Sequence, residues 1–267
     1  MAPDSATSDD GLRVNKMHMP YDADGGIAAR AAIGVIVLAS DQTIEHEWRK
    51  IIDLDGVALY ESRIYNDNNI TPETLAAMEA RIKDSTDVIL PGIDLDVVAF
   101  GCTSASMVIG EENVFARIRE ARPEVKCTTP ITAAMAAFRA VGAERIAMLT
   151  PYRDDINQGM RAYLTERGFQ VPVMGSFNED DDRNVGRISL ASVKNAALEL
   201  GRHDDVDAVF VSCTAVRLAE ASAEIEAELG KPVTSSNHAM AWHSLRLAGI
   251  DDALPRWGRL FTLPAPE

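Results

Sequence analysis

DVVAFGCT (96–103) recurs as DAVFVSCT (207–214), and both copies read D-x-V-x-x-x-C-T with their cysteines 111 positions apart. Each is a short, buried-type apolar run ending in a reactive side chain, the pattern of a parallel strand whose carboxyl end carries function. The match continues in both directions. Upstream, Val37-Leu38-Ala39-Ser40-Asp41 pairs with Met148-Leu149-Thr150-Pro151-Tyr152 at the same offset. Downstream, CTTP (127–130) and TSSN (234–237) each lead into an alanine-rich helical stretch. There Arg139 matches Arg246 and Gly142 matches Gly249, now 107 positions apart. An internal repeat of this length predicts two copies of one supersecondary unit. The expected fold is α/β, with two lobes related by a pseudo-twofold, each a four-stranded parallel sheet flanked by helices.

The other elements fit that frame. IGVIVLA (33–39) and GVALYESRI (56–64) read as strands, and TPETLAAMEARIKD (71–84) as one helix with Thr71 at its N-cap and Pro72 in its first turn. Residues 1–32 are polar and acidic and read as an extension. The first lobe is expected to take 33–130 and 238–267, and the second 131–237, because the last helix follows the second lobe's final strand.

The chain has 267 residues, 46% hydrophobic and 25% charged, with a formal net charge of −15. This is globular composition, and its polyanionic balance speaks against nucleic acid and anionic membrane surfaces as partners. Three cysteines without a CxxC, and five histidines without a ligand cluster, suggest neither a disulfide framework nor a structural metal. The glycines form no phosphate-cradling motif, so no cofactor is expected. The N-terminus lacks the basic and apolar segments of a signal peptide, and no apolar run approaches a membrane span. A cytoplasmic protein is the expectation.

Ligands of open parallel sheets bind beyond the carboxyl ends of the strands. Ser40 and Asp41, Cys102, Thr103 and Ser104, Tyr152, and Cys213 with Thr214 all fall at such ends. Facing lobes would bring Cys102 and Cys213 onto one small molecule from opposite sides. Each cysteine also precedes an expected helix, whose first amides lower a thiol pKa and cradle a carboxylate. Two opposed thiols can move a proton from one face of a carbon to the other. Alternatively, one adds to an activated alkene while the other handles the proton. Cys127 has no repeat partner and reads as a core residue. Arg217, near the second cysteine, is a further choice for a substrate carboxylate.

The duplicated strand–Cys–Thr units resemble the aspartate/glutamate racemase superfamily. CTTPITAAMAAFRAVGAERIAMLTPYRDDIN (127–157) and GRLF (258–261) narrow the resemblance to its maleate cis–trans isomerase and arylmalonate decarboxylase branch, ectoine-utilisation members included. The resemblance implies Cys102 as nucleophile or first base and Cys213 as the opposite acid/base. It further implies Thr103, Ser104 and Tyr152 as donors to a substrate carboxylate, and Asn184 in RNVGR (183–187) as a substrate-binding asparagine. The decarboxylases carry glycine where this chain has Cys102, so two cysteines point to an isomerase or racemase. The isomerases carry Asn where this chain has Asp41, which pairs with a substrate amine or orients a thiol. The implied reaction is cofactor-independent isomerisation of a small carboxylate or amino-acid-like substrate in a homo-oligomer, a dimer or tetramer. The alternatives are malonate decarboxylation, with Cys213 protonating the enediolate, and a non-catalytic small-molecule binding protein. His238, beside Asn237 at a strand end, is either a proton relay or a capping residue. The acidic run 179–182 reads as a solvated loop.

Overall fold

A computed structural model describes residues 14–67, 69–179 and 181–266. The first half runs β1 (Ala31–Leu38), α1 (Ile44–Ile51), β2 (Val57–Ile64), α2 (Pro72–Ala76), α3 (Glu79–Asp87), β3 (Val97–Gly101), α4 (Thr103–Ile109), α5 (Glu111–Ala121), β4 (Lys126–Thr128) and α6 (Pro130–Val141). The second runs β5 (Arg145–Thr150), α7 (Asp154–Glu166), β6 (Gln170–Ser176), α8 (Asp182–Val185), α9 (Leu190–Gly201), β7 (Ala208–Val211), α10 (Ser222–Leu229), β8 (Val233–Ser235) and α11 (Ser236–Leu247). The sheets are ordered β2-β1-β3-β4 and β6-β5-β7-β8, and every pair is parallel. Every residue of β1, and every residue of β3 and β7, is buried, as central strands covered on both faces require. The expected two-sheet α/β architecture is therefore the one that forms. Among the described residues, no helix is long and apolar enough to cross a membrane.

The duplication extends to individual hydrogen bonds. Thr129 caps α6 by accepting from the Thr132 amide, and Ser235 caps α11 by accepting from the His238 amide. Both helices end alike: Ala143 N–H bonds Phe138 C=O and Ile250 N–H bonds Leu245 C=O, each at 2.9 Å. Gly142 and Gly249, at φ +72° and +80°, make the left-handed turn these closures need. The two helices pack on each other, and each crosses to the sheet it does not follow. α6 buries Ile131, Ala134 and Phe138 against the second sheet's β5 and β7, while α11 buries Ala239, Ala241 and Trp242 in the core around β1. This exchange ties the halves together through apolar burial rather than through a linker.

Two boundaries differ from expectation. β1 begins at Ala31, because Ala31 and Ala32 pair with Val57 and Ala58 and are buried, so the extension stops short of residue 32. Its residues 1–13 lie outside the described ones. The helix expected over 71–84 is split by a turn at Ala77–Met78, although its Thr71–Thr74 capping box forms. The break puts Leu75 and Met78 on one pocket wall.

Candidate active site

The strand ends of both sheets meet in one small pocket. Cys102, Thr103 and Ser104 line it from the first half; Tyr152, Asp182, Cys213 and Thr214 line it from the second. Asn66 and Asp67 after the edge strand β2 also line it, as Asp182 does after β6, and an antiparallel bridge between Asn69 and Asp181 joins these segments. Leu38, Ile70, Leu75 and Met78 supply its apolar wall.

Cys102 is the N-cap of α4, and its sulfur accepts from the Ala105 amide at 3.4 Å. Ser104 Oγ stands 3.8 Å from that sulfur. Even so, burial outweighs the helix end and pushes the thiol up to about 12, against the lowering expected from sequence. Cys213 departs further from expectation, because no α-helix follows it directly. Its backbone has φ +99°, a conformation L-residues seldom adopt, and the chain turns instead toward α1. The helical bonds this loop forgoes are replaced by bonds between the halves. Thr43 Oγ1 donates to Ala215 C=O at 2.7 Å, and Glu47 Oε1 accepts the Leu218 and Ala219 amides, each at 2.8 Å. Strain of this kind persists where the surroundings fix it, and it concentrates at functional sites. Burial also pushes the Cys213 thiol up and the Asp182 carboxylate adds to the rise, while neighbouring Tyr152 and Ala215 oppose it.

A hydroxyl bridge links the two cysteine loops. Ser236 Oγ accepts from the Cys213 amide at 3.0 Å and shares a 2.9 Å hydrogen bond with Thr103 Oγ1. Tyr152 is held through its backbone: its N–H donates to Thr150 Oγ1 at 3.1 Å, and its C=O accepts from Asn157 Nδ2 at 2.9 Å.

Six of the eight residues singled out from sequence line this one pocket: Cys102, Thr103, Ser104, Tyr152, Cys213 and Thr214. Asp41 lies behind the wall. Its Oδ1 accepts the Thr43 and Ile44 amides at 2.7 and 2.9 Å, capping α1, while burial raises its pKa. Asn184 is exposed on α8 and is not among the lining residues, because the first residue of that short helix, Asp182, faces the pocket instead. Asp182 corrects the reading of 179–182 as a solvated loop, of which residue 180 lies outside the described ones: Asp182 is 9% exposed, and its Oδ2 accepts from Ser40 Oγ at 2.8 Å. Asn66 Nδ2 in turn donates to Ser40 Oγ at 2.8 Å. The repeat offset carried a signal for both, since it places the loop after β6 opposite the loop after β2. Arg217 turns away and donates to Ile188 C=O at 3.1 Å.

The profile of the arylmalonate decarboxylase family, Amdase, matches residues 61–261. The chain belongs to that family. The arylmalonate decarboxylase of Bordetella bronchiseptica is 34% identical over 137 residues, spanning 51% of this chain and 57% of that protein. The maleate isomerase of Nocardia farcinica is 28% identical over 241 residues, 85% of this chain and 94% of that protein. A solved structure of the Nocardia farcinica maleate cis-trans isomerase carries a cysteine-to-serine change and a covalently bound succinylcysteine intermediate. It is 26% identical, covers 87% of this chain and 98% of its own, and matches with a TM-score of 0.78. The resemblance read from the cysteine units therefore holds at the level of family and fold.

In this member of the arylmalonate decarboxylase family His238 is a core residue and lines no part of the pocket. Its Nε2 faces the Trp257 carbonyl at 2.6 Å and so carries the proton; Nδ1 accepts from Thr234 Oγ1 at 2.9 Å. Burial pushes its pKa down to about 4. The unfolded chain protonates this ring near 6.5, so below that pH the unfolded state binds the extra proton and stability falls as pH falls. The expected loss approaches about 3 kcal/mol at pH 4. His243, also lowered to about 4 by burial, adds to it with the same sign. Urea unfolding of the parent and His238→Gln at pH 7 and 4.5 checks this; equal pH slopes would refute it.

Proposed function

We propose that the chain is a cofactor-independent isomerase acting on a small carboxylate, with Cys102 and Cys213 working from opposite sides of the bound molecule. The observation that carries this reading is that two thiols from equivalent strand ends of two homologous halves line one small pocket. The α4 first-turn amides and the Thr103 and Ser104 hydroxyls suit a carboxylate that gathers charge as an enediolate. In the proton-transfer form, one thiolate takes the α-proton and the other thiol supplies a proton to the opposite face. In the addition form, Cys102 thiolate bonds to an alkene carbon, the central bond rotates, and elimination returns the thiolate. The covalent succinylcysteine of the Nocardia farcinica relative supports the second form for that protein. Three unpaired thiols fit a cytoplasmic enzyme.

Malonate decarboxylation is the second reading, favoured by the family to which the chain belongs. It needs Cys213 alone, so Cys102 stands against it. Incubation with maleate, amino acids and arylmalonates in deuterated water separates the three. Proton transfer exchanges the α-hydrogen, addition and rotation leaves a trappable Cys102 adduct, and decarboxylation releases carbon dioxide. Decarboxylation that persists in Cys102→Ala, with no isomerisation by the parent, would overturn the isomerase reading.

A further inference from the structure

The pocket wall carries acids and no bases. Asp182 and Asp67 line it, Asp41 sits buried behind it, and no Lys, Arg or His is among the lining residues. Three nearby guanidiniums are engaged elsewhere. Arg63 binds the Leu38, Ala39 and Asp41 carbonyls and Glu45; Arg183 pairs with Asp181 at 2.6 Å; Arg217 holds Ile188 C=O. Asp182 is built in rather than floating. It is about nine-tenths buried, one oxygen is fixed by Ser40, and among the described residues its other oxygen makes no hydrogen bond. A dianion entering this pocket adds two negative charges beside an acid whose pKa burial already raises, with no cation among the lining residues to offset them. A zwitterion leaves the charge unchanged and sets a cation against Asp182.

Next to the reactive pocket runs an apolar groove between α2, α4 and α7. It shares Ile70, Leu75 and Ser104 with the pocket, and Met107, Ile156 and Met160, with the carboxylate of Asp155, are among the residues that line the remainder. Gly159 stands on its edge with open space where a side chain would project.

We propose that the substrate carries one carboxylate, one cationic nitrogen and an apolar side chain, with Asp182 selecting the nitrogen and the groove seating the side chain. This rests on the isomerase reading and specifies its proton-transfer form. The carboxylate sits at Thr103 and Ser104, one thiolate takes the α-proton to become a thiol, and the opposite thiol gives its proton to the other face and becomes the thiolate. No electrons leave the pair of sulfurs and the carbon.

The test uses the full chain in deuterated water, with α-proton loss followed by NMR. The probes are L-leucine, L-alanine, 4-methylpentanoate, which lacks the nitrogen, and maleate. Leucine is expected to exchange with kcat/KM at least about tenfold above alanine. The nitrogen-free acid and maleate are expected to be poorer than either amino acid. Asp182→Asn is expected to lower the ratio of leucine to 4-methylpentanoate exchange about a hundredfold, a ratio in which the effect of Asp182 on the two thiols cancels. Gly159→Phe, remote from the acidic wall, is expected to remove the leucine preference while sparing alanine. An Asp182 that acts as a protonated donor to a second carboxylate predicts the reverse, with Asp182→Asn neutral. That result, or the absence of exchange with both amino acids, overturns the proposal. Maleate turnover needing both cysteines would then leave the isomerase reading intact, whereas no turnover of any isomerisable probe would remove both.

Discussion

Cys102→Ala and Cys213→Ala each lower the isomerase kcat/KM by at least about a thousandfold, the range in which a positioned proton-transfer or nucleophilic group contributes. Each side chain is small and lies at the pocket wall, so the variants are expected to fold with far-UV spectra like the parent's. The two losses do not multiply in the double variant, because the sulfurs act on one reacting carbon as a unit. The pH profile is a second readout. Burial pushes the Cys102 thiol up to about 12 in the free protein. The thiolate is therefore roughly one part in 10⁵ at pH 7. Since the reaction needs the thiolate, kcat/KM is expected to rise with pH through the neutral range, approaching tenfold per unit. Substrate-bound profiles reach their plateau earlier if a bound cation stabilises the thiolate. Either single variant retaining more than a tenth of parental activity would sink the two-thiol chemistry.

Glu47→Ala has the largest expected effect on stability. Glu47 is 2% exposed on α1 and burial raises its pKa, with Asp41 adding to the rise. Its two oxygens accept three bonds: from the Leu218 and Ala219 amides and from Asn237 Nδ2, each at 2.8 Å. Asn237 Nδ2 also holds Thr214 C=O at 2.7 Å, so one carboxylate fastens the Cys213 loop to both α1 and α11. Deleting it strands buried donors and opens a void, at an expected cost of about 3–5 kcal/mol. That corresponds to a melting temperature lower by about 10 °C in a chain this long. Glu47→Gln retains one carbonyl for the two amides but points a donor at Asn237, so it costs less than alanine and more than nothing. Because the strained Cys213 backbone depends on this clamp, activity in Glu47→Gln is expected to fall more steeply than stability. Thermal melts with parallel rate measurements check both; an alanine variant within 2 °C of the parent would refute the clamp.

The halves are joined where their chemistry is. Ser236, Thr103 and the Cys213 amide form one chain of hydrogen bonds, and α6 and α11 exchange sheets around it. Cleft geometry is thus fixed by the same contacts that stabilise the fold, which suits a reaction in which two sulfurs must face one carbon.

Much of this was legible without coordinates. The D-x-V-x-x-x-C-T duplication determined the fold class, the pairing of the cysteines and the strand-end placement of Thr103, Ser104, Tyr152 and Thr214, because strand periodicity and strand-end position are local properties. What a one-dimensional pattern could not decide was which side of a loop faces inward. Asp182 and Asn184 are two residues apart on one short turn, and only the bridge between Asn69 and Asp181 orients that turn so that the acid enters the pocket and the amide meets solvent. Nor could it decide the thiol pKa values, since burial depends on everything packed around the sulfur while the helix end is a nearest-neighbour effect. The helix expected after Cys213 failed for the same reason: Thr43 and Glu47, some 170 positions earlier in the chain, offer that segment better partners than its own backbone does.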